Sequence, residues 1–400
     1  MQRPTLTRRQ FSTTAAAALI TAAARTSFGT PTRLINVAVF DRARILSAAT
    51  SFLSAQPITV TAFHSPRSPG TPHDFFSEGD YWWPDPANPT GPYIRRDGLT
   101  NPANFTAHRE AMVRLSIHVA TLTAAWKITR NPAQRARFSA KAAAHLRAWF
   151  VTEATRMSPN LQHAQGITGV NTGRGIGIID TIHLVEVARS ADLLEQGHAL
   201  DAPTATAIRQ WFAQYLTWLT ASKNGIEERD QKNNHGSCWL LQVAEFATYL
   251  RLPAQIEFCS DRFRTALVPT QIALDGSLPL ELARTKPFSY ALFDLDILAT
   301  LCQILSTPAN DLWAFTTPDG RGIKSAVAYM VPFIADKSRW PLKPDVEFFD
   351  ALPVRQPSLL FAGLAYRNPA WIALWRRLNP DPTVGEIIRN FPIRQTVLWV

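Results

Sequence analysis

From Val39 to Leu378 the chain is a succession of helical patterns with few other signals between them. Apolar residues recur at three-and-four steps in Val39 to Leu53, Phe105 to Ile128, Ala133 to Thr155, Ile178 to Leu194 and Ala205 to Leu219. The same spacing continues in Cys238 to Leu250, Ile256 to Leu267, Tyr290 to Leu305, Ile323 to Ile334 and Leu359 to Leu378. Such spacing gives each segment one apolar face, and it predicts at least nine or ten helices. The boundaries carry helix punctuation. Asn131-Pro132, Asp201-Ala202-Pro203-Thr204, Leu252-Pro253 and Asn368-Pro369 each end one helix and set Pro in the first turn of the next. Short turns of this kind make consecutive helices antiparallel neighbours. Strand signals are confined to Ile58 to Ala62 and Thr396 to Val400. The fold class is therefore all-α: helical hairpins that stack as an open rod or curl into an α/α toroid. A toroid leaves a cleft at one end of its inner helices.

Three long segments interrupt the helices: Ser65 to Asn104, Ser158 to Gly177 and Asp275 to Ser289. They are rich in Gly, aromatics and paired charges. Long loops of that composition in a compact domain are usually functional, and all three are expected to converge on one rim. No Ser/Gly tract or charge run marks a linker, so residues 25–400 read as one domain. Ahead of them, Thr7-Arg8-Arg9-Gln10-Phe11 precedes the weakly apolar run Ser12 to Ala24. That run is too short to span a bilayer, and the pattern predicts a twin-arginine export signal over residues 1–24. The mature protein is then periplasmic or secreted, with no later membrane span.

Losing residues 1–24 removes three arginines and no acid, which lowers the formal charge from +10 to +7. Such a surplus favours a polyanionic partner. The chain has no Lys/Arg tract, helix-turn-helix signature or zinc-finger spacing, which argues against nucleic acid. Cys238, Cys259 and Cys302 are too scattered for a disulfide framework or a metal site and read as buried thiols. The histidines show no shared metal spacing, and no cofactor or metal is called for.

Two stretches carry chemistry. Lys232-Asn233-Asn234-His235-Gly236-Ser237-Cys238-Trp239 follows a charged run and opens an apolar helix. Its polar groups should sit at a helix N-terminus, where backbone amides and dipole favour an anion. Arg284-Thr285-Lys286-Pro287-Phe288-Ser289-Tyr290 adds a guanidinium suited to bidentate pairing with a carboxylate. Pro287 is expected to hold this loop extended while Tyr290 opens the next helix. Tyr290 can carry a proton if positive charge from His235 and Arg284 lowers its pKa from about 10. Taken singly, Asn234 also reads as an N-cap, Arg284 as a surface cation and Tyr290 as a half-buried anchor.

These stretches, with Ser77 to Pro86, Gly91 to Gly98 and Asn171 to Gly177, give the chain its resemblance to the alginate lyase family of polysaccharide lyases, which includes glucuronan-cleaving relatives. The resemblance covers nearly the whole mature chain. It implies an incomplete α/α toroid with long cleft-forming loops, and cleavage of an acidic 4-linked polyuronate by β-elimination. It further implies that Asn234 and Arg284 neutralise the uronate carboxylate, that His235 lies beside the same group or acts as base, and that Tyr290 protonates the leaving oxygen or takes the C5 proton as well. Tyr81, Trp82 and Trp83 would stack on sugar rings, and Arg95, Arg96 and Arg174 would meet neighbouring carboxylates. His108, Arg109, His163, Gln165, Asn171 and Trp239 complete the expected substrate-binding set.

One departure stands out: Gly236-Ser237-Cys238 follows Asn-Asn-His, where alginate-directed members continue with Ser and an aromatic. In β-D-mannuronate and β-D-glucuronate the C5 proton and C4 oxygen leave from one side, so a single tyrosine can serve both. In α-L-guluronate they are anti. One Tyr beside one His favours the first pair. Two other readings fit the same residues. One is a toroidal hydrolase of acidic sugars drawing on Asp74, Glu78, Asp80, Asp85 and Asp180. The other is a non-catalytic periplasmic polyuronate-binding protein, which would not need Tyr290.

Overall fold

Asparagine, aspartate and proline start the helices where the sequence places them. Asn131 accepts a hydrogen bond from the Gln134 amide ahead of helix Pro132–Phe150, Asp201 does so from Thr204 ahead of Ala202–Ala221, and Asn368 from Ala370 and Trp371 ahead of Pro369–Arg377. Each side chain satisfies an N–H that the first turn leaves without a partner. The computed structural model describes residues Leu34–Val400, and within them the chain forms one compact unit. The export signal expected over residues 1–24 lies outside the described residues.

The helices pair as antiparallel hairpins. Ala107–Ile128 packs on Pro132–Phe150, Leu184–Gln196 on Ala202–Ala221, Asn234–Leu250 on Pro253–Arg262, Pro287–Leu305 on Ile323–Ala335, and Pro357–Ala365 on Pro369–Arg377. The first member of each pair also packs on the first member of the next. These inner helices form an arc and the second members an outer layer, so the chain is an all-α, incomplete toroid. Burial follows that placement: helix Asn234–Leu250 is buried on nearly every face, whereas the outer Pro253–Arg262 buries only Cys259 and Ser260. Pro287–Leu305 is apolar and long enough to cross a bilayer by composition, but most of it is buried among the other helices.

Several expectations shift. Both strand signals are 3-10 turns, Val60–Ala62 and Thr396–Leu398. Their β-branched residues are recruited to the core by burial rather than by strand pairing. Leu359 to Leu378 is two helices, broken at Asn368-Pro369. Pro287 does not extend its loop; it occupies the first turn of Pro287–Leu305, where its missing N–H costs nothing.

Three inner helices are capped from afar by buried acids. Glu281 takes the Asn234 amide, Asp345 takes the Phe288 and Ser289 amides, and Asp296 takes the Ser358 amide. A carboxylate at a helix N-terminus gains from both the unpaired N–H groups and the dipole. The C-terminal segment is anchored similarly, with Glu186 accepting from the Arg394 and Gln395 amides and Val397, Leu398 and Trp399 buried.

The actual strands lie inside the long loops. Phe76–Glu78 pairs in parallel with His163–Gly166, and Trp82–Trp83 pairs antiparallel with Ile94–Arg95. The first ladder binds the Ser65 to Asn104 segment to the Ser158 to Gly177 segment. The Tyr93 amide extends this with a 3.0 Å bond to the Thr168 carbonyl, and Gly169, at φ +75°, leaves no room for a side chain against Pro92.

Candidate active site

The three long loops and the starts of two inner helices enclose a cleft of about 370 Å³. Asn234, His235, Arg284 and Tyr290 all line it, together with Tyr81, Trp82, Arg95, Gln165 and Arg174. The expected convergence of Ser65 to Asn104, Ser158 to Gly177 and Asp275 to Ser289 on one rim is found.

Asn234 and His235 form the first turn of helix Asn234–Leu250. Asn233 stands at the N-cap position without a side-chain cap bond. Glu281 caps the helix instead, taking the Asn234 amide at 2.7 Å and its Nδ2 at 2.6 Å. Gly236 is explained here: a Cβ would stand 2.2 Å from the Gln231 carbonyl oxygen, so glycine lets the preceding turn close tightly on the helix start. His235 Nδ1 lies 2.9 Å from a carboxylate oxygen of Glu228, a fully buried residue. With Nδ1–H donated to Glu228, Nε2 is the ring nitrogen left for the cleft. Burial raises the Glu228 carboxyl, and His235 pulls it back down.

Arg284 Nη2 donates to the Tyr290 hydroxyl and to Asp97, each at 3.2 Å, with its guanidinium 4.2 Å from the Tyr290 ring centre. Tyr290 and Tyr81 share a hydroxyl–hydroxyl bond of 2.8 Å. The expectation of a lowered tyrosine pKa is corrected. Burial is the largest influence and carries Tyr290 above its ordinary value, outweighing Arg284, the Tyr81 bond and Arg389. In the free cleft Tyr290 is a neutral phenol, which fits a proton donor. Asp97 goes the other way: burial would raise it, but Arg284, Thr285 and Arg95 together lower it.

Around this centre the field is positive. Arg95, Arg174, Arg284 and Arg389 line the cleft against Asp80 and Glu386. Both acids are engaged by Arg389, at 2.8 Å and 3.1 Å. Burial would raise Asp80, but Arg109 and Arg389 hold it at about 2. Arg174 has no carboxylate within ion-pair distance among the described residues. Burial lowers its pKa to about 10, and it is held by two 3.0 Å bonds to the backbone carbonyl and side-chain oxygen of Gln165. Gln165 takes φ +49°, an uncommon backbone state for a residue with a Cβ, and such strain concentrates at functional sites.

The alginate lyase family model matches residues 59–340 of the sequence. This chain belongs to the alginate lyase family. The enzyme is accordingly a polysaccharide lyase. The crystal structure of an alginate lyase from Bacteroides ovatus is 29% identical, with a TM-score of 0.77 over 92% of this chain and 94% of that one. Alginate lyase A1-III from Sphingomonas species A1 is 15% identical, with a TM-score of 0.52 over 89% of this chain and 94% of that one. A variant of that lyase complexed with a tetrasaccharide is 13% identical, with a TM-score of 0.54 and the same coverage. The last two speak to the fold alone. No curated protein matches.

Seven expected substrate-binding residues of the lyase lie outside the cleft lining. His108, 3% exposed, accepts the Phe76 amide at Nδ1 and packs against Phe75 and Phe105. Arg109, 6% exposed, clamps Asp80 with two bonds of 3.0 and 2.6 Å and so braces the cleft floor from behind. Trp239 is core, donating to the Leu219 carbonyl. His163 sits on the strand beside Phe76, Asn171 is exposed in a bridge to Ile167, and Trp83 and Arg96 stack on each other at 5.2 Å. For His108, Arg109, Trp239 and the Trp83–Arg96 pair a local partner takes the group that sequence left free for substrate, whereas His163 and Asn171 are set outside the cleft by the backbone pairings of their own segments.

The acids of the hydrolase reading are also engaged. Asp74 holds Thr71, Glu78 takes Arg67 and the Phe105 amide, Asp80 takes Arg109 and Arg389, and Asp180 takes Ser77 and Gln165. Asp85 accepts the Ala87 amide on an exposed turn. Sequence reasoning missed Glu228, Glu281, Asp97, Glu386, Arg389 and Asn390. Glu228 had a weak signal in the charged run before Asn234, and Asp97 lies in a stretch that carried the resemblance. The C-terminal trio had none.

Proposed function

We propose that this lyase cleaves alginate by β-elimination, with β-D-mannuronate at the cut, and that the β-1,4-glucuronate of glucuronan is the second candidate. The observation that carries the reading is one positive cleft holding a neutral Tyr290 bonded to Arg284 beside a His235 backed by Glu228. The C5 proton lies α to a carboxylate whose charge resists carbanion formation, so donors must first neutralise that group. Arg284 and Asn234 take this role. His235 Nε2 accepts the C5 proton, the electron pair forms the C4–C5 double bond, the C4–O bond breaks, and Tyr290 gives its proton to the departing oxygen. Afterwards the proton on His235 and the vacancy on Tyr290 re-equilibrate through solvent. Tyr290 as acid follows from its raised pKa, and His235 as base from Nδ1 being committed to Glu228.

Arg174 and Arg95 are assigned to carboxylates of adjacent sugars, and Tyr81 and Trp82 to ring faces. The alginate assignment draws on the family and on the Bacteroides ovatus lyase. The twin-arginine pattern supports a signal over residues 1–24, one catalytic domain over 25–400 and a periplasmic or secreted enzyme. The test is incubation with polymannuronate, polyguluronate and glucuronan separately, following ultraviolet absorbance and new reducing ends. Equal rises on polymannuronate are expected. Reducing ends without absorbance would indicate hydrolysis, and binding without either signal would indicate a carrier.

A further inference from the structure

Glu281 does not line the cleft and is only 1% exposed, yet both its oxygens are committed to Asn234, which does line it. We infer that Glu281 is a positioning residue that fixes which end of the Asn234 amide meets the substrate, an inference resting on the carboxylate-neutralising role proposed for Asn234. An amide has two ends of similar size and opposite hydrogen-bonding sense, and only its N–H end can neutralise an anion. An ionised carboxylate accepts and cannot donate. Glu281 therefore holds Nδ2 at 2.6 Å and blocks the flipped orientation, in which two oxygens would face each other.

Asn234 needs such a guide, because its Oδ1 is buried with no partner among the described residues and so does not select an orientation itself. Nothing local does this work: the preceding Asn233 makes no cap bond. Glu281 also ties the two neutralising groups together. Its own carbonyl accepts the Arg284 amide at 3.1 Å, so one turn sets both the Asn234 amide and the start of the arginine segment. Burial raises the Glu281 carboxyl, against the two Asn234 donors that favour its charged form. Nearby Asp294 is raised well above its ordinary value by burial and by Glu281 itself, while both Glu281 oxygens accept N–H groups of Asn234.

The test compares Glu281→Gln, Glu281→Asp, Asn234→Ala and the Glu281→Gln/Asn234→Ala double variant, by kcat and KM on polymannuronate with thermal unfolding alongside. Gln keeps the shape and can still accept the backbone amide, but it loses the acceptor-only character. Asp keeps that character and leaves a gap. Expected are a 10- to 100-fold fall in kcat for Glu281→Gln at nearly unchanged Tm (about tenfold per 1.4 kcal/mol), better activity for Glu281→Asp despite a lower Tm, and no further loss on adding Glu281→Gln to Asn234→Ala. Near-parental kcat in Glu281→Gln, independent losses in the double variant, or activity that tracks Tm would each overturn the inference while leaving the elimination reading intact. Parental turnover by Asn234→Ala would instead overturn the role of Asn234, and this inference with it.

Discussion

Replacing Tyr290 by Phe removes one oxygen from the cleft and keeps the ring beneath Arg284. The lost hydroxyl bonds Tyr81 at 2.8 Å and Arg284 at 3.2 Å. Arg284 keeps Asp97, so no guanidinium is orphaned, and the stability cost is about 1 kcal/mol for each bond. For a domain of this size that lowers Tm by only a few degrees, about 2–4 °C per kcal/mol. The catalytic cost is larger. A positioned general acid is worth about 10²–10⁴ in rate, or about 3–5 kcal/mol of barrier. Because Arg284 and Asn234 remain, KM should stay within about threefold, the pattern of a group used in the transition state. The assay is initial ultraviolet absorbance on polymannuronate, with thermal unfolding to confirm the fold. In the parent enzyme Tyr290 must be protonated to act, and its pKa lies above the ordinary value, so its ionisation should not limit kcat below about pH 10. A folded Tyr290→Phe enzyme with kcat within about tenfold of the parent would refute the acid assignment.

Glu228→Gln should lower kcat by about tenfold while leaving thermal stability equal or higher, since it removes a charge that burial already disfavours; unchanged kcat on polymannuronate would make Glu228 merely structural. Arg174→Ala should raise KM about tenfold and spare kcat, measured on oligomers of increasing length, because Arg174 is held by Gln165 away from any carboxylate. The half-buried His118 and the buried His145, whose rings face each other, are each lowered by burial to about 4. Their stabilising neutrality is complete above the unfolded value of about 6.5 and is lost as pH falls through about 4, costing of order 1–2 kcal/mol each after allowing for partial exposure. Urea midpoints should therefore fall between about pH 7 and about pH 5, and less so in His145→Leu.

The helical periods and proline boundaries made the toroid legible, because each inner helix must bury one apolar face whatever its neighbours are. Asn234, His235, Arg284 and Tyr290 were legible because short loops hold each near a helix start. What stayed hidden depends on long-range partners. Trp239 and Arg109 look alike in sequence to cleft residues, and only the carbonyl of Leu219 and the carboxylate of Asp80 reveal that they are occupied. Glu281 lies 47 residues from Asn234, and no local pattern links an acid to a helix it caps from that distance. Glu386 and Arg389 reach the cleft because Glu186 anchors the segment that follows them. The raised pKa of Tyr290 was missed for a related reason: nearby positive charge can be counted from sequence, whereas burial cannot.

Elimination at a neutralised uronate is tested most directly by proton NMR of polymannuronate during digestion by the purified enzyme. One vinyl proton of a C4–C5 double bond should appear for every new reducing end, at a rate abolished by Tyr290→Phe. New reducing ends with saturated non-reducing partners would contradict it.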